Sequence, residues 1–128
     1  MNTATDTPTA ITPYFPAPAL QPGEVYVGVV IENGRPHHVV LLDGDKAGLD
    51  HAKALVWAME QGGDLPSRME ALLLFQTQRE AFKRDWYWTN APREPGFAWY
   101  QHFHDGPQYW GTVYFELRAR AVRRIPIE

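Results

Sequence analysis

Cysteine is absent from this 128-residue sequence, which excludes disulfides, thiolate zinc sites and every mechanism built on a Cys nucleophile or redox thiol. Stability has to come from packing. No run of about 18 apolar residues and no basic-then-apolar leader is present, so neither a membrane span nor a secretory signal peptide is expected. An excess of basic charge is missing too. Twelve Lys and Arg stand against fifteen Asp and Glu, a formal charge of −3 with pI near 5.9, which argues against nucleic acid as the main partner. Serine occurs once, at Ser67, in the position of a helix cap and not on a strained Gly-x-Ser-x-Gly turn, so serine catalysis has no candidate. What the chain does have is 45% apolar residues and 13% aromatic residues, a globular composition at the size of a single domain.

Residues 1–22 hold five of the eleven prolines and one charge, Asp6. Proline fixes φ and cannot donate to a ladder, so this stretch is expected to be an extended arm ahead of a domain at 23–128. It carries Ile11, Tyr14, Phe15 and Leu20, side chains that favour docking, either on its own domain or on neighbouring subunits in an oligomer or larger assembly.

From Gly23 the sequence alternates. Val25, Val27 and Val29 lead to Asn33-Gly34, the strongest short hairpin signal, and predict strands at about 25–31 and 37–42. Ala52, Leu55, Val56 and Met59 recur at helical spacing between an N-cap at Asp50 and a stop at Gly62-Gly63. Ser67-Arg68-Met69-Glu70 is a capping box opening a second helix, which gives way to a polar stretch from Gln76 to Asp85. Rings and turns follow, predicting short antiparallel strands near 86–89, 97–103, 110–116 and 118–125. The fold class is α+β: an N-terminal hairpin, two helices and a twisted antiparallel sheet.

Four pieces in order, G-D-L-P-S-R-M-E-A-L-L-L-F (Gly63 to Phe75), Y-W-T (Tyr87 to Thr89), F-A-W-Y-Q-H-F (Phe97 to Phe103) and R-A-R-A-V-R-R (Arg118 to Arg124), give a chain that resembles the Lcl C-terminal-like domain family. That family is named for the C-terminal domain of a bacterial collagen-like adhesin and includes small phage and prophage members. The resemblance covers roughly Gly23 to Ile125. It implies a C-type-lectin-like fold whose ends meet and whose irregular loops form a binding face. It also implies structural roles for Leu65, Pro66, Ser67 and Glu70 at the helix entry, for Trp88 and Trp99 as core or near-core rings, and for Arg120 and Arg123 in the last strand. Fold does not fix function. Copper-dependent formylglycine generation, found in relatives of that fold, is excluded by the lack of cysteine. A lectin calcium loop is echoed by Glu94-Pro95-Gly96 and Trp88-Thr89-Asn90, but in reverse order and without the oxygens a hard cation needs.

His102-x-His104-Asp105 and His37-His38 supply possible metal ligands, yet the first pair shares a face at a strand end, where solvated or ring-packed histidines are common. No metal and no cofactor is expected. The aromatic surplus is more informative. If Trp86, Trp88 and Trp99 face the core, Tyr87, Tyr100, His102, Tyr109 and Trp110 form an exposed face suited to stacking a sugar ring or anchoring a protein. Their alternative is packing beneath loops or the arm. Arg118, Arg120, Arg123 and Arg124 make the last strand basic; Arg118 is a ligand candidate, and the plainer reading pairs these arginines with Asp85, Glu94, Glu116 or Glu128.

The expectation that follows is a non-enzymatic phage or prophage recognition module. It would be a virion component, tail or fibre associated, that docks through its arm and binds a host-surface glycan or protein. The alternative is a small prophage accessory protein in the bacterial cytoplasm that binds and modulates a host protein.

Overall fold

A computed structural model describes residues 15–128; the expectation of an arm over 1–22 therefore lies mostly outside the described residues. Strands β1 (Val25–Glu32) and β2 (Arg35–Leu41) form the expected hairpin. Asn33 and Gly34 both take positive φ, 52° and 73°, the pair of left-handed residues that a type I′ turn requires. A four-residue strand, β3 (Lys46–Leu49), follows. No alternation announces it, and it exists because β7 offers it a partner.

Helix α1 (His51–Glu60) is capped by Asp50, whose side chain accepts from the Lys53 N–H. Helix α2 (Arg68–Gln78) opens on the complete capping box: Ser67 Oγ accepts from the Glu70 N–H, and Glu70 reaches back to the Ser67 N–H. It runs past Gln76 into a 3₁₀ turn at Arg79–Ala81. The remaining strands are β4 (Trp86–Glu94), β5 (Phe97–His102), β6 (Gln108–Thr112), β7 (Leu117–Ala119) and β8 (Val122–Pro126).

Two sheets result where one was expected. The order β1-β2-β8 makes a three-stranded antiparallel sheet, and β3-β7-β4-β5-β6 makes a five-stranded sheet in which β7 meets β4 in parallel. The strand expected at 118–125 splits because Ala121 and Val122 are both buried, which breaks alternation and turns the chain out of one sheet into the other. The crossing is fastened at one residue. The Leu42 N–H donates to the Ala121 carbonyl at 2.9 Å, and Arg120 Nη2 donates to the Leu42 carbonyl at 2.7 Å.

One core cluster lies between the first sheet and α2 and includes Val39, Leu41, Leu74, Phe82, Phe103 and Val122; the other surrounds Trp88 with Ala54 and Ala58 of α1. Before β1, the chain at 15–22 rests on its own domain. Phe15, Pro16 and Pro18 line a pocket together with His38, Ile125 and Ile127, and Arg123 Nη2 donates to the Ala19 carbonyl.

Asp64 exchanges two backbone hydrogen bonds with Val122, at 2.9 and 2.8 Å, bringing the inter-helix loop onto β8. This leaves no room at Gly63, where an added Cβ would stand 2.2 Å from the Val122 carbonyl oxygen. Gly63→Ala is expected to cost about 1–3 kcal/mol through overpacking, read as a lower urea midpoint with an unchanged slope.

Candidate functional site: an aromatic and guanidinium surface

The β4–β5–β6 register decides which rings share a face. Trp86 lies opposite His102, Trp88 opposite Tyr100, and Tyr100 opposite Tyr109, so these five project to one side of the sheet. Tyr87 pairs with Gln101, and Trp99 pairs with Trp110, so these project to the other. The single aromatic face expected from the sequence is therefore two half-faces. Tyr87 and Trp110 do not join Tyr100, His102 and Tyr109.

On the first side, α1 covers Trp88, which is fully buried and donates its indole N–H to the Leu49 carbonyl. Beyond the helix lies a cluster built on Trp86. His102 stacks on it at 4.0 Å between ring centroids, and Tyr100 and Tyr109 meet it edge-on at 5.2 and 5.6 Å. Tyr109 is the exposed member, Tyr100 is half-buried, and burial holds the Tyr100 phenol pKa above its usual value. His102 is ring-packed, with Asp105 at 3.8 Å from its Nδ1.

Tyr87 is 3% exposed, a core ring and not a surface one. Its phenol donates to Asp45 and accepts from the Lys83 N–H, and burial followed by the Asp45 contact pushes its pKa up. Arg118 is likewise engaged, with Nη1 2.7 Å from Asp45 and Nε 3.2 Å from Asp85.

The second side carries what the sequence reading missed. Trp99 is only half-buried, and the Arg68 guanidinium lies 3.5 Å above its ring centre. Trp110 meets Trp99 edge-on at 5.2 Å, and Arg93 lies 4.3 Å from the Trp110 ring. Such contacts contribute roughly 0.5–1 kcal/mol each at exposed sites. Side-chain amides hold the array. Buried Gln101 accepts from Gln108 Nε2, which also donates to the Arg68 carbonyl, while Arg68 Nε donates to Gln108 Oε1. The hairpin turn at Pro95-Gly96 was a usable signal that Arg93 and Trp99 are neighbours; nothing local announces Arg68.

The basic run is structural in ways its own neighbourhood does not reveal. Of the four acidic partners expected, Asp85 alone takes part. Arg120 donates to the carbonyls of Ala81 and Leu42, and Arg123 pairs with Glu24. Arg124 donates Nε and Nη2 to the two oxygens of Glu70, and Nη1 to Asp64. Glu70 is fully buried. Burial pushes its carboxyl pKa up, but the hydrogen bonds from Arg124 and the Ser67 N–H, the Arg124 charge and the His37 hydrogen bond outweigh that, and the net shift is downward. His37 Nε2 is 2.7 Å from Glu70 and 3.8 Å from Glu32. The Glu32, His37 and Glu70 atoms are close enough together to hold a metal ion, but the Arg124 guanidinium already occupies both Glu70 oxygens. The cluster reads as an internal ion network.

Comparison with family models, with curated proteins and with solved structures finds no match.

Because the folded-state pKa of Glu70 is depressed, its contribution to stability is complete above the unfolded carboxyl value of about 4.3 and is lost as pH falls through the lower folded value. Urea midpoints should therefore drop below about pH 4. Glu70→Gln is expected to remove about 3–5 kcal/mol at pH 7 by taking away the buried carboxylate that accepts Nε and Nη2 of Arg124 and leaving that arginine with Asp64 alone, and to flatten that acid limb. A Glu70→Gln midpoint equal to wild type would refute the assignment.

Proposed function

We propose that this chain is a non-enzymatic recognition module with a C-type-lectin-like fold, a phage or prophage virion component that binds a host-surface glycan. The phage setting rests on the resemblance of the four sequence motifs. The lectin-like reading draws support from β8, the last strand, pairing with β2 of the first hairpin, so that the two ends of the domain lie together.

The observation that carries the binding role is the Trp99–Trp110 array with its two guanidinium groups. Trp110 is 47% exposed and presents an apolar ring suited to the C–H face of a sugar. A guanidinium stacked on an indole keeps its N–H edges free for hydroxyl or carboxylate oxygens.

A second reading, a prophage accessory protein that binds a host protein, is favoured by the apolar groove where Ile31 of β1 meets Met69 and Leu72 of α2, all at least half exposed. A protein anchor would use such side chains, whereas a glycan would not.

Glycan-array binding by the full chain is expected, with Trp110→Ala weakening it about tenfold or more while leaving the unfolding midpoint within about 0.5 kcal/mol. Retained binding in that variant would overturn the role of the array. Leu72→Glu, with glycan binding unchanged, separates the second reading, in which it alone abolishes capture of the host protein. For the virion role, light scattering should show an assembly that falls to monomer in a chain starting at Gly23. Identical monomers would count against docking through the arm.

A further inference from the structure

Beside the array lies a pocket of about 420 Å³ under the β4–β5 hairpin, lined among others by His51, Pro92, Arg93, Glu94, Phe97 and Val113. That volume falls in the range of small-molecule sites. His51 is the first residue of α1, and its backbone N–H donates to the Val113 carbonyl. The side chain is more than nine-tenths buried, edge-on to Trp88 at 4.9 Å.

One hydrogen bond sets its tautomer. Nε2 lies 2.8 Å from the Thr89 carbonyl oxygen, which can only accept, so Nε2 carries a proton and, in the neutral ring, Nδ1 carries the lone pair. Nδ1 has no hydrogen-bond partner among the described residues. Among the described residues, the side-chain polar atom sealed from solvent without a partner is Arg120 Nε, so His51 Nδ1 keeps some solvent access. A ring that lines the pocket and is otherwise almost wholly packed thus keeps one acceptor without a partner.

The rest of the lining narrows the ligand. Arg93 and Glu94 face each other at 3.6 Å, so their charges offset and the pocket favours neither an anion nor a cation. Together with His51 they offer two acceptors and one donor group around an apolar wall of Pro92, Phe97 and Val113. A ring with one C–H face and hydroxyls on its rim meets all of these at once, because each hydroxyl both donates and accepts. A flat hydrocarbon would leave the polar groups without partners, which is costly once water is displaced.

We propose that this pocket is a subsite for one neutral pyranose residue, with a hydroxyl donating to His51 Nδ1. Arg93 lines the pocket and also stacks on Trp110, so the adjoining sugar of a longer glycan lies over that indole. The inference rests on the glycan-binding reading given above and assigns it a second, deeper contact.

The test is NMR titration of the full chain with methyl α-glucoside, methyl α-mannoside, methyl β-galactoside and N-acetylglucosamine, each alone. At least one is expected to shift the Val113 methyl, Phe97 ring and His51 imidazole signals saturably in the millimolar range. His51→Gln should weaken that response about tenfold, the value of one lost hydrogen bond. Since His51 is packed on Trp88, Phe97→Ala provides a variant at a partly exposed site, and it should weaken binding by a similar factor. Silence at Val113, Phe97 and His51 while an oligosaccharide shifts Trp110 would overturn the pocket and leave the recognition role standing. Silence at both places would overturn both, and a response untouched by Phe97→Ala would overturn the pocket.

Discussion

The carboxylate of Glu70 is the point at which three separate pieces of the chain are joined. It closes the capping box that starts α2, accepts both arms of Arg124 from β8, and hydrogen-bonds His37 of β2. Removing a charge from water is costly, and the pairing offsets that cost only while every partner is in place. The helix start, the C-terminal strand and the hairpin are therefore not independently positioned. Asp64, which also holds Arg124, adds its backbone pair to Val122 and ties the inter-helix loop to the same strand. Apolar packing supplies the driving force in both cores, and this network decides how α2 is set against the first sheet.

The proposed binding surface depends on that setting. Arg68 is the first residue of α2, so the helix start fixed by Ser67 and Glu70 is also what carries a guanidinium over Trp99. Gln101 and Gln108 complete the link by holding Arg68 from the sheet side. On the opposite face, α1 plays the matching part. Its first residue, His51, is packed on Trp88 and lines the hairpin pocket. Both candidate contacts with a ligand thus come from the first turn of a helix resting on a rigid strand, a placement that restricts their side chains before any ligand arrives.

Where reading the sequence succeeded, the interactions were local. The Asn33-Gly34 turn, the Asp50 cap and the capping box at Ser67 each involve residues one to three positions apart, and all stand where their residue types placed them. Tyr87 shows where local reasoning stops. Alternation along β4 puts it on the other face from Trp86 and Trp88, but both faces are covered there, by α1 over Trp88 and by Leu74, Phe82 and Phe103 around Tyr87, and no local pattern announces the second cover. The arginines make the same point. Arg123 finds Glu24 at a separation of 99 positions and Arg124 finds Glu70 at 54, far beyond any spacing rule.

The sequence by itself determined the two helices with their starts, the first hairpin, the abundance of strands after Asp85 and an aromatic content larger than a small core needs. These follow from backbone preferences and side-chain periodicity, which act over a few residues. Only the tertiary structure decided that there are two sheets, that the basic run is spent on internal partners, and that Trp99 and Trp110 rather than Tyr87 stand beside the guanidinium groups of Arg68 and Arg93. Those outcomes depend on strand register and on which charges meet after the chain has closed on itself, and neither is encoded in any short stretch.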